Sequence, residues 1–296
     1  MIIVSSNCQT AGIAKTLSLI FPNEEIIPFP TPNINDIKSK NKLRKLLTKA
    51  EFWITDNERS NPFEFASQLS LKIVVIPNIY FNAFHPDITY AVVGNSNEMT
   101  RLHYNSKLIC WGYINSIEVD DVCSLFCEQN FSKLKYFEYW SESVKTLKSI
   151  FLKTDFNKSE FNKFFLKIKR SGCFMHTFNH PKSHVITELC KIVSHKLVTS
   201  KSYQFNCYRE IVVDDFLNDT IWPVYPHVSD IFGVEGTYDW RINGVEITTL
   251  KSFVEYMFSS YQEIGITPSD LKPTADISSF DNILMPSISR KWNIHM

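Results

Sequence analysis

The chain has 296 residues, 44% of them hydrophobic and 21% charged, with 31 basic side chains balanced by 31 acidic ones. That length and mix suit a globular protein with a sizeable core, as one large domain or two smaller ones, and the balance excludes an overall field of the kind that draws nucleic acid. No run of 18 or more apolar residues exists, so no membrane span is expected, and the opening MIIVSSNCQ has neither the basic region nor the apolar stretch of a signal peptide.

Ile2–Ser5 is a short apolar run of strand type, and Ile13, Leu17, Ile20 and Phe21 follow it with helical spacing. EEIIPF reads as a second strand. Residues Ile34 to Ala50 predict a helix with a basic outer face at Lys38, Lys42, Lys45 and Lys49. EFWITD, LKIVVIP and TYAVVG are three further strand-type runs, separated by polar or helical segments. Alternation of this kind builds a parallel sheet with helices on both faces.

From about Val119 the period changes. Leu134, Phe137, Trp140, Val144, Leu147 and Phe151 recur every three or four residues and predict an amphipathic helix. Phe161, Phe164, Phe165 and Ile168 predict another, and Val185–Leu197 a third, broken by proline-rich loops such as WPVYPH. The expected fold is therefore α/β. A parallel-sheet domain over residues 1–125 carries the Asn-Cys-Gln and His-Pro-Asp motifs, and a mainly helical region, 126–296, packs on it.

Seven scattered cysteines with no CxxC pair, the nearest being Cys123 and Cys127, argue against a disulfide framework or a zinc cage and for a reducing cytoplasm. Charge is distributed unevenly. Ten basic and four acidic residues lie between Lys133 and Arg170, and eight acidic residues and two arginines between Arg209 and Glu246. Two solvated faces account for this; a basic wall for a phosphorylated ligand is the sharper alternative.

In open α/β sheets, ligands bind beyond the carboxyl ends of the strands. Those ends carry Ser6-Asn7-Cys8 after the first strand, Thr55-Asp56 after FWI, and Pro77-Asn78 after KIVVI. Cys8 stands where a helix begins, and unpaired N–H groups there favour a thiolate and can hold an oxyanion or phosphate. A small buried apolar residue is the plain alternative. In PNIYFNAFHPDITY, His85 and Asp87 flank Pro86, an arrangement in which the carboxylate could orient the imidazole; a surface loop with an Asx turn is the plain alternative there. GCFMHTFNHPKSH places His176, His180 and His184 four residues apart, but Pro181 argues against the continuous helix that a metal site would need. An extended segment, a turn at Asn179 or His180, and a helix starting near Pro181 are expected instead. WPVYPH reads as a stiff aromatic loop that could stack on a ligand, with structural packing the plainer use.

Asn-Cys-Gln after the first strand, PNIYFNAFHPD, TFNHP and WPVYP, in that order, resemble the WcbI family of capsular polysaccharide biosynthesis proteins, over roughly residues 2 to 230. Ser6 stands where the family's usual opening has glycine. The resemblance implies binding of coenzyme A as acetyl-CoA and transfer of its acyl group to a sugar hydroxyl, with a carbohydrate or sugar nucleotide as acceptor. Asn7, Cys8, Gln9, His85, Asp87, Asn179, His180 and Pro181 fall on the family's recurrent positions, which leaves open which of them is catalytic.

The expectations for the site follow. Cys8 is nucleophile or oxyanion partner, and His85 oriented by Asp87, or else His180, is general base. Asn7, Gln9, Asn78, Asn179 and His176 meet the cofactor, lysines of the 133–170 segment meet its phosphates, and no metal takes part. Two other classes remain open: an SGNH-type esterase with Cys8 in place of serine, and a non-catalytic nucleotide- or glycan-binding module.

Overall fold

The computed structural model describes residues 1–30, 37–56, 69–94, 98–197 and 220–292. Contacts divide the chain into two compact units. The first takes Met1–Phe81, Val144–Met175 and Asn179–Leu217, and the second Asn82–Ser143, His176–Phe178 and Asn218–Met296.

The first unit is built on four parallel strands, β1 (Ile2–Ser5), β2 (Ile26–Pro28), β3 (Phe52–Asp56) and β4 (Lys72–Ile76), in the order β2-β1-β3-β4. All pairs run parallel, with Ile2 beside both Ile26 and Phe52, and Phe52 beside Lys72. Every residue of β1 and β3 is buried, as strands covered on both faces require. Helix α1 (Thr10–Ile20) follows β1, and α2 (Ile37–Leu47) precedes β3.

Side chains alternate across a sheet. Ile3 and Trp53 point to one face, where they pack with Phe29 and with Leu43 and Leu47 of α2. The chain moves from β1 outward to β2, then back across β1 to β3. With right-handed crossovers, that reversal puts α1 and α2 on opposite faces and makes the β1/β3 edge the topological switch point. Trp53 Nε1, buried in this core, donates to Ser5 Oγ at 3.1 Å. The basic outer face of α2 carries Lys38, Lys42 and Lys45, but the helix stops at Leu47, leaving Lys49 in a turn. Residues 34–36, expected to begin this helix, lie outside the described residues, as do 209–219 of the acidic stretch.

The later helices of this unit follow their apolar spacing. α7 (Lys158–Lys169) buries Phe161, Phe164 and Ile168, and it starts from a capping box in which Asn157 Oδ1 accepts from the Ser159 and Glu160 amides while Glu160 accepts from the Asn157 amide. α8 (Ser183–Leu197) lies against α1, where the Cys190 thiol donates to the Ile13 carbonyl at 3.7 Å. It begins at Ser183, near Pro181 as expected, after the extended His180–Pro181. The helix expected from Leu134 starts late. Lys135 takes a left-handed φ of 59°, residues Tyr136–Glu138 form a single 3₁₀ turn, and α6 spans Tyr139–Leu152.

The second unit has no parallel sheet among its described residues. TYAVVG supplies β6 (Ala91–Val93), which pairs antiparallel with β7 (Glu98–Met99) and β11 (Leu271–Pro273). β5 (Ile88–Thr89) pairs antiparallel with β8 (Asn105–Ser106). β9 (Trp240–Ile242) and β10 (Val245–Ile247) form a hairpin through Asn243 and Gly244, both at positive φ (51° and 80°), the Asn-Gly turn whose twist matches the strands. Short helices α3 (Lys107–Ile114), α4 (Val119–Ser124), α5 (Glu128–Lys133) and α9 (Pro226–Phe232) and the longer α10 (Leu250–Glu263) and α11 (Phe280–Trp292) complete it. WPVYPH packs as expected: Trp222, Val224 and Tyr225 are buried, and Pro226 opens α9.

Candidate functional site

In the first unit the polar groups converge at the switch point. Ser6 is fully buried, with Oγ 3.2 Å from Asp56 Oδ2 and 3.1 Å from Asn78 Oδ1, so one hydroxyl joins the carboxyl ends of β1, β3 and β4. Asp56 and Asn78, with Lys153 and Thr154, line a cavity of about 170 Å³ beyond those ends. A glycine at position 6 could not make this link.

Asn7-Cys8-Gln9 forms the turn into α1. Asn7 Oδ1 accepts from the Gln9 amide at 3.0 Å, an Asx turn. Thr10 Oγ1 accepts from the Ser6 amide at 3.0 Å and lies 2.6 Å from the Ser6 carbonyl and 2.7 Å from that of Asn7. With its backbone fixed on both sides, the turn leaves the Cys8 side chain exposed. The plain alternative of a buried small residue is overturned. Of the other described cysteines, burial pushes the Cys110 thiol up to about 12 and also raises Cys173 and Cys190.

Gln9, expected among the cofactor contacts, does something different. Its side chain is fully buried. Nε2 donates to the Ile79 carbonyl at 3.0 Å and to the Asn179 carbonyl at 3.3 Å, while Oε1 accepts from the Ile79 amide at 3.3 Å. Both amide protons thus go to the main chain. Gln9 clamps the loop after β4 and the loop carrying Asn179 and His180 onto the turn that presents Cys8. His180 itself is 5% exposed.

His85, Asp87 and His176 belong to the second unit. Asp87 is fully buried and accepts four hydrogen bonds: from Tyr136 Oη at 2.8 Å, Tyr225 Oη at 3.0 Å, the Leu108 amide at 3.1 Å, and Ser106 Oγ. None comes from His85, so the carboxylate does not orient the imidazole directly as expected. Extended backbone across Pro86 would have allowed it, but this segment turns: the His85 amide donates to the Asn82 carbonyl and the Ile88 amide to the His85 carbonyl.

The carboxylate instead caps the start of α3, beside the buried Lys107, whose Nζ donates to the Pro86 carbonyl at 2.6 Å. Burial raises the Asp87 carboxyl above its ordinary value, opposed by hydrogen bonds from Ser106 and Tyr136, by the Lys107 charge, and by the Leu108 amide. Burial, together with the Asp87 charge, pushes Tyr136 and Tyr225 well above the ordinary phenol value. His85 Nε2 lies 2.9 Å from the Trp222 carbonyl. His176 is 6% exposed, and its carbonyl accepts from the Trp222 amide at 2.9 Å.

Sequence reading missed Thr10, Ser106, Tyr136 and Tyr225. Ser106 had a signal, since a serine just before the apolar run LICWGYI is an N-cap, and its Oγ accepts from the Ile109 amide. Among the described residues no group of three or more His, Cys, Asp or Glu side chains is placed to hold a metal ion, and no helix is long and apolar enough to cross a membrane.

A parallel α/β sheet whose switch point is tied by Ser6 and Asp56 and carries an exposed Cys8 belongs to the doubly wound class of folds. The chain belongs to the WcbI family of polysaccharide biosynthesis enzymes, whose model matches residues 1–202. It also superposes on a solved structure of WcbI over 98% of both chains, with a TM-score of 0.70 at 16% identity, which shows a shared fold. That structure is described as the native protein of a polysaccharide biosynthesis enzyme without a disulfide bond between coenzyme A and one of its cysteines. No curated protein matches the chain.

Proposed function

We propose that this protein transfers an acyl group, acetyl in the simplest case, from coenzyme A to a hydroxyl of a sugar or sugar nucleotide during polysaccharide biosynthesis. The observation that carries the reading is the exposed Cys8 on a fully braced turn at the switch point of the sheet. The family supplies the polysaccharide setting, and coenzyme A is named with a cysteine in the description of the similar structure.

In the reaction, the acceptor oxygen forms a bond to the thioester carbonyl carbon, directly or after an acyl-Cys8 intermediate. The C–S bond breaks, the hydroxyl proton passes to an imidazole, and the departing coenzyme A sulfur takes a proton back. Asn7 and the amides entering α1 suit the anionic groups of such a ligand, and Asn78 and Lys153 offer further polar contacts at the strand ends. His85 is our first choice for the base. A carbonyl can only accept, so its Nε2 carries a proton, and in the neutral ring the lone pair is then on Nδ1. His180 is the second choice, favoured by the clamp that Gln9 makes on the adjacent Asn179. Seven scattered cysteines with no CxxC pair suit a reducing cytoplasm.

The test uses acetyl-CoA labelled in the acetyl group, with a panel of sugar nucleotides. The expected result is acceptor-dependent transfer, lost about 100-fold or more in H85Q or in H180Q, whichever is the base. Acetate release independent of acceptor would replace transferase by esterase, and tight binding without turnover on any acceptor would leave a binding module.

A further inference from the structure

His85 is held by more than its own carbonyl contact. The residue that supplies that carbonyl, Trp222, has its indole fixed in turn: Nε1 donates to Tyr225 Oη at 3.1 Å. Tyr225 Oη donates its own proton to Asp87 Oδ2 at 3.0 Å. Asp87 stands two residues after His85, across the stiff Pro86, in the turn where the Ile88 amide donates to the His85 carbonyl. The path from imidazole to carbonyl, indole, phenol and carboxylate therefore closes on the main chain of His85 itself. His85, Asp87, Trp222 and Tyr225 are each no more than 2% exposed, so water does not compete for these bonds.

We infer that Tyr225 is a positioning residue for His85: its hydroxyl, anchored on Asp87, fixes Trp222 so that the Trp222 carbonyl holds the imidazole with a proton on Nε2 and the lone pair on Nδ1. The inference rests on His85 as the base proposed above. Coupling the imidazole to the carboxylate through a neutral carbonyl fixes its angle and, in the neutral ring, its tautomer, without an ion pair. The ring of Tyr225 has separate work, packing on Phe126, Phe131 and Trp240 with centroids 5.4, 5.9 and 6.0 Å away. Y225F keeps those contacts and removes both hydrogen bonds of the hydroxyl.

The experiment records long-range proton–nitrogen spectra of protein labelled with ¹⁵N-histidine, in the parent, Y225F and W222F, with H85Q used to assign the His85 signals. The parent is expected to show the Nε2–H tautomer for His85. Y225F is expected to show a shifted or mixed tautomer pattern, and W222F, which keeps the main-chain carbonyl but loses the indole donor, the same change. In acceptor-dependent release of coenzyme A, Y225F is expected to lower kcat about 10-fold at an unchanged KM, as the loss of part of a general base's contribution.

An Nδ1–H tautomer in the parent overturns the inference without any variant. So does an unaltered His85 pattern in folded Y225F or W222F. If the pattern changes in both variants while H85Q turns over like the parent, positioning stands and the choice of His85 as base falls.

Discussion

The side chain of Gln9 and the main chain of Asn179, 170 positions apart, meet in one hydrogen bond of 3.3 Å. With the two bonds from Gln9 to Ile79, it ties the loops after β1 and β4 to the loop before α8. Gln9→Met keeps the bulk and removes every one of these bonds. It leaves buried carbonyls and an amide unsatisfied, so a loss of roughly 1–3 kcal/mol is expected. Urea denaturation measures the stability, and calorimetric titration with coenzyme A should show weaker binding in the same variant. A change within about 0.5 kcal/mol would mean that the clamp is idle.

Alkylation should single out Cys8. It is exposed, while burial raises the thiols of Cys110, Cys173 and Cys190, and burial with the nearby Asp120 charge raises that of Cys123. The thiolate is the reactive form. With limiting iodoacetamide, peptide mapping is expected to find Cys8 labelled first among the described cysteines and shielded by added coenzyme A. Earlier labelling of Cys110 or Cys190 would contradict the burial seen here.

Much of this was legible because two periods carry most of the first unit. The runs IIVS and FWITD are buried on both faces and KIVVI at alternate residues, and all three are strands of the parallel sheet. Strand ends then located Ser6, Cys8, Asp56 and Asn78 without any contact information. TYAVVG has the same look but pairs antiparallel, since short apolar runs do not encode the direction of their neighbours. The His85–Asp87 pairing failed for a local reason, a turn where extended chain was assumed. The tyrosines around Asp87 were invisible because they come from 49 and 138 residues downstream. A buried carboxylate needs donors, but sequence does not say which ones arrive.

Tyr136→Phe tests the Asp87 cage with little change of shape. Tyr136 is 1% exposed, and its hydroxyl donates to Asp87 Oδ1 at 2.8 Å. Hydrogen bonds to charged groups contribute about 1.5–3 kcal/mol, and a loss of that order is expected once the carboxyl is ionised. The bond to an ionised carboxylate is stronger than to a neutral acid. Burial holds the Asp87 carboxyl above its ordinary 3.8, so ionisation costs stability as pH rises through the raised folded value. The deficit of Y136F relative to the parent should therefore be small below the raised folded value and grow as pH rises through it. Thermal melts of both proteins across the range measure it; a deficit independent of pH would indicate lost packing alone.

Glu188 gives the opposite sign. Burial alone would raise its carboxyl, but hydrogen bonds and charge from Lys191 at 2.8 Å and Lys167 at 2.9 Å bring it below its ordinary 4.5. A depressed folded value contributes stability that is present above 4.5 and lost as pH falls through the folded value. Glu188→Gln removes the charge and keeps the shape. The variant should melt below the parent at neutral pH, and the gap should close in acid once the parent's carboxylate is protonated. Lys167 is half-exposed, so part of the gap at pH 7 should also vanish in about 1 M salt, where charges are screened within about 3 Å. A gap that persists unchanged below the carboxylate range would assign the effect to packing between α7 and α8 rather than to the ion pairs.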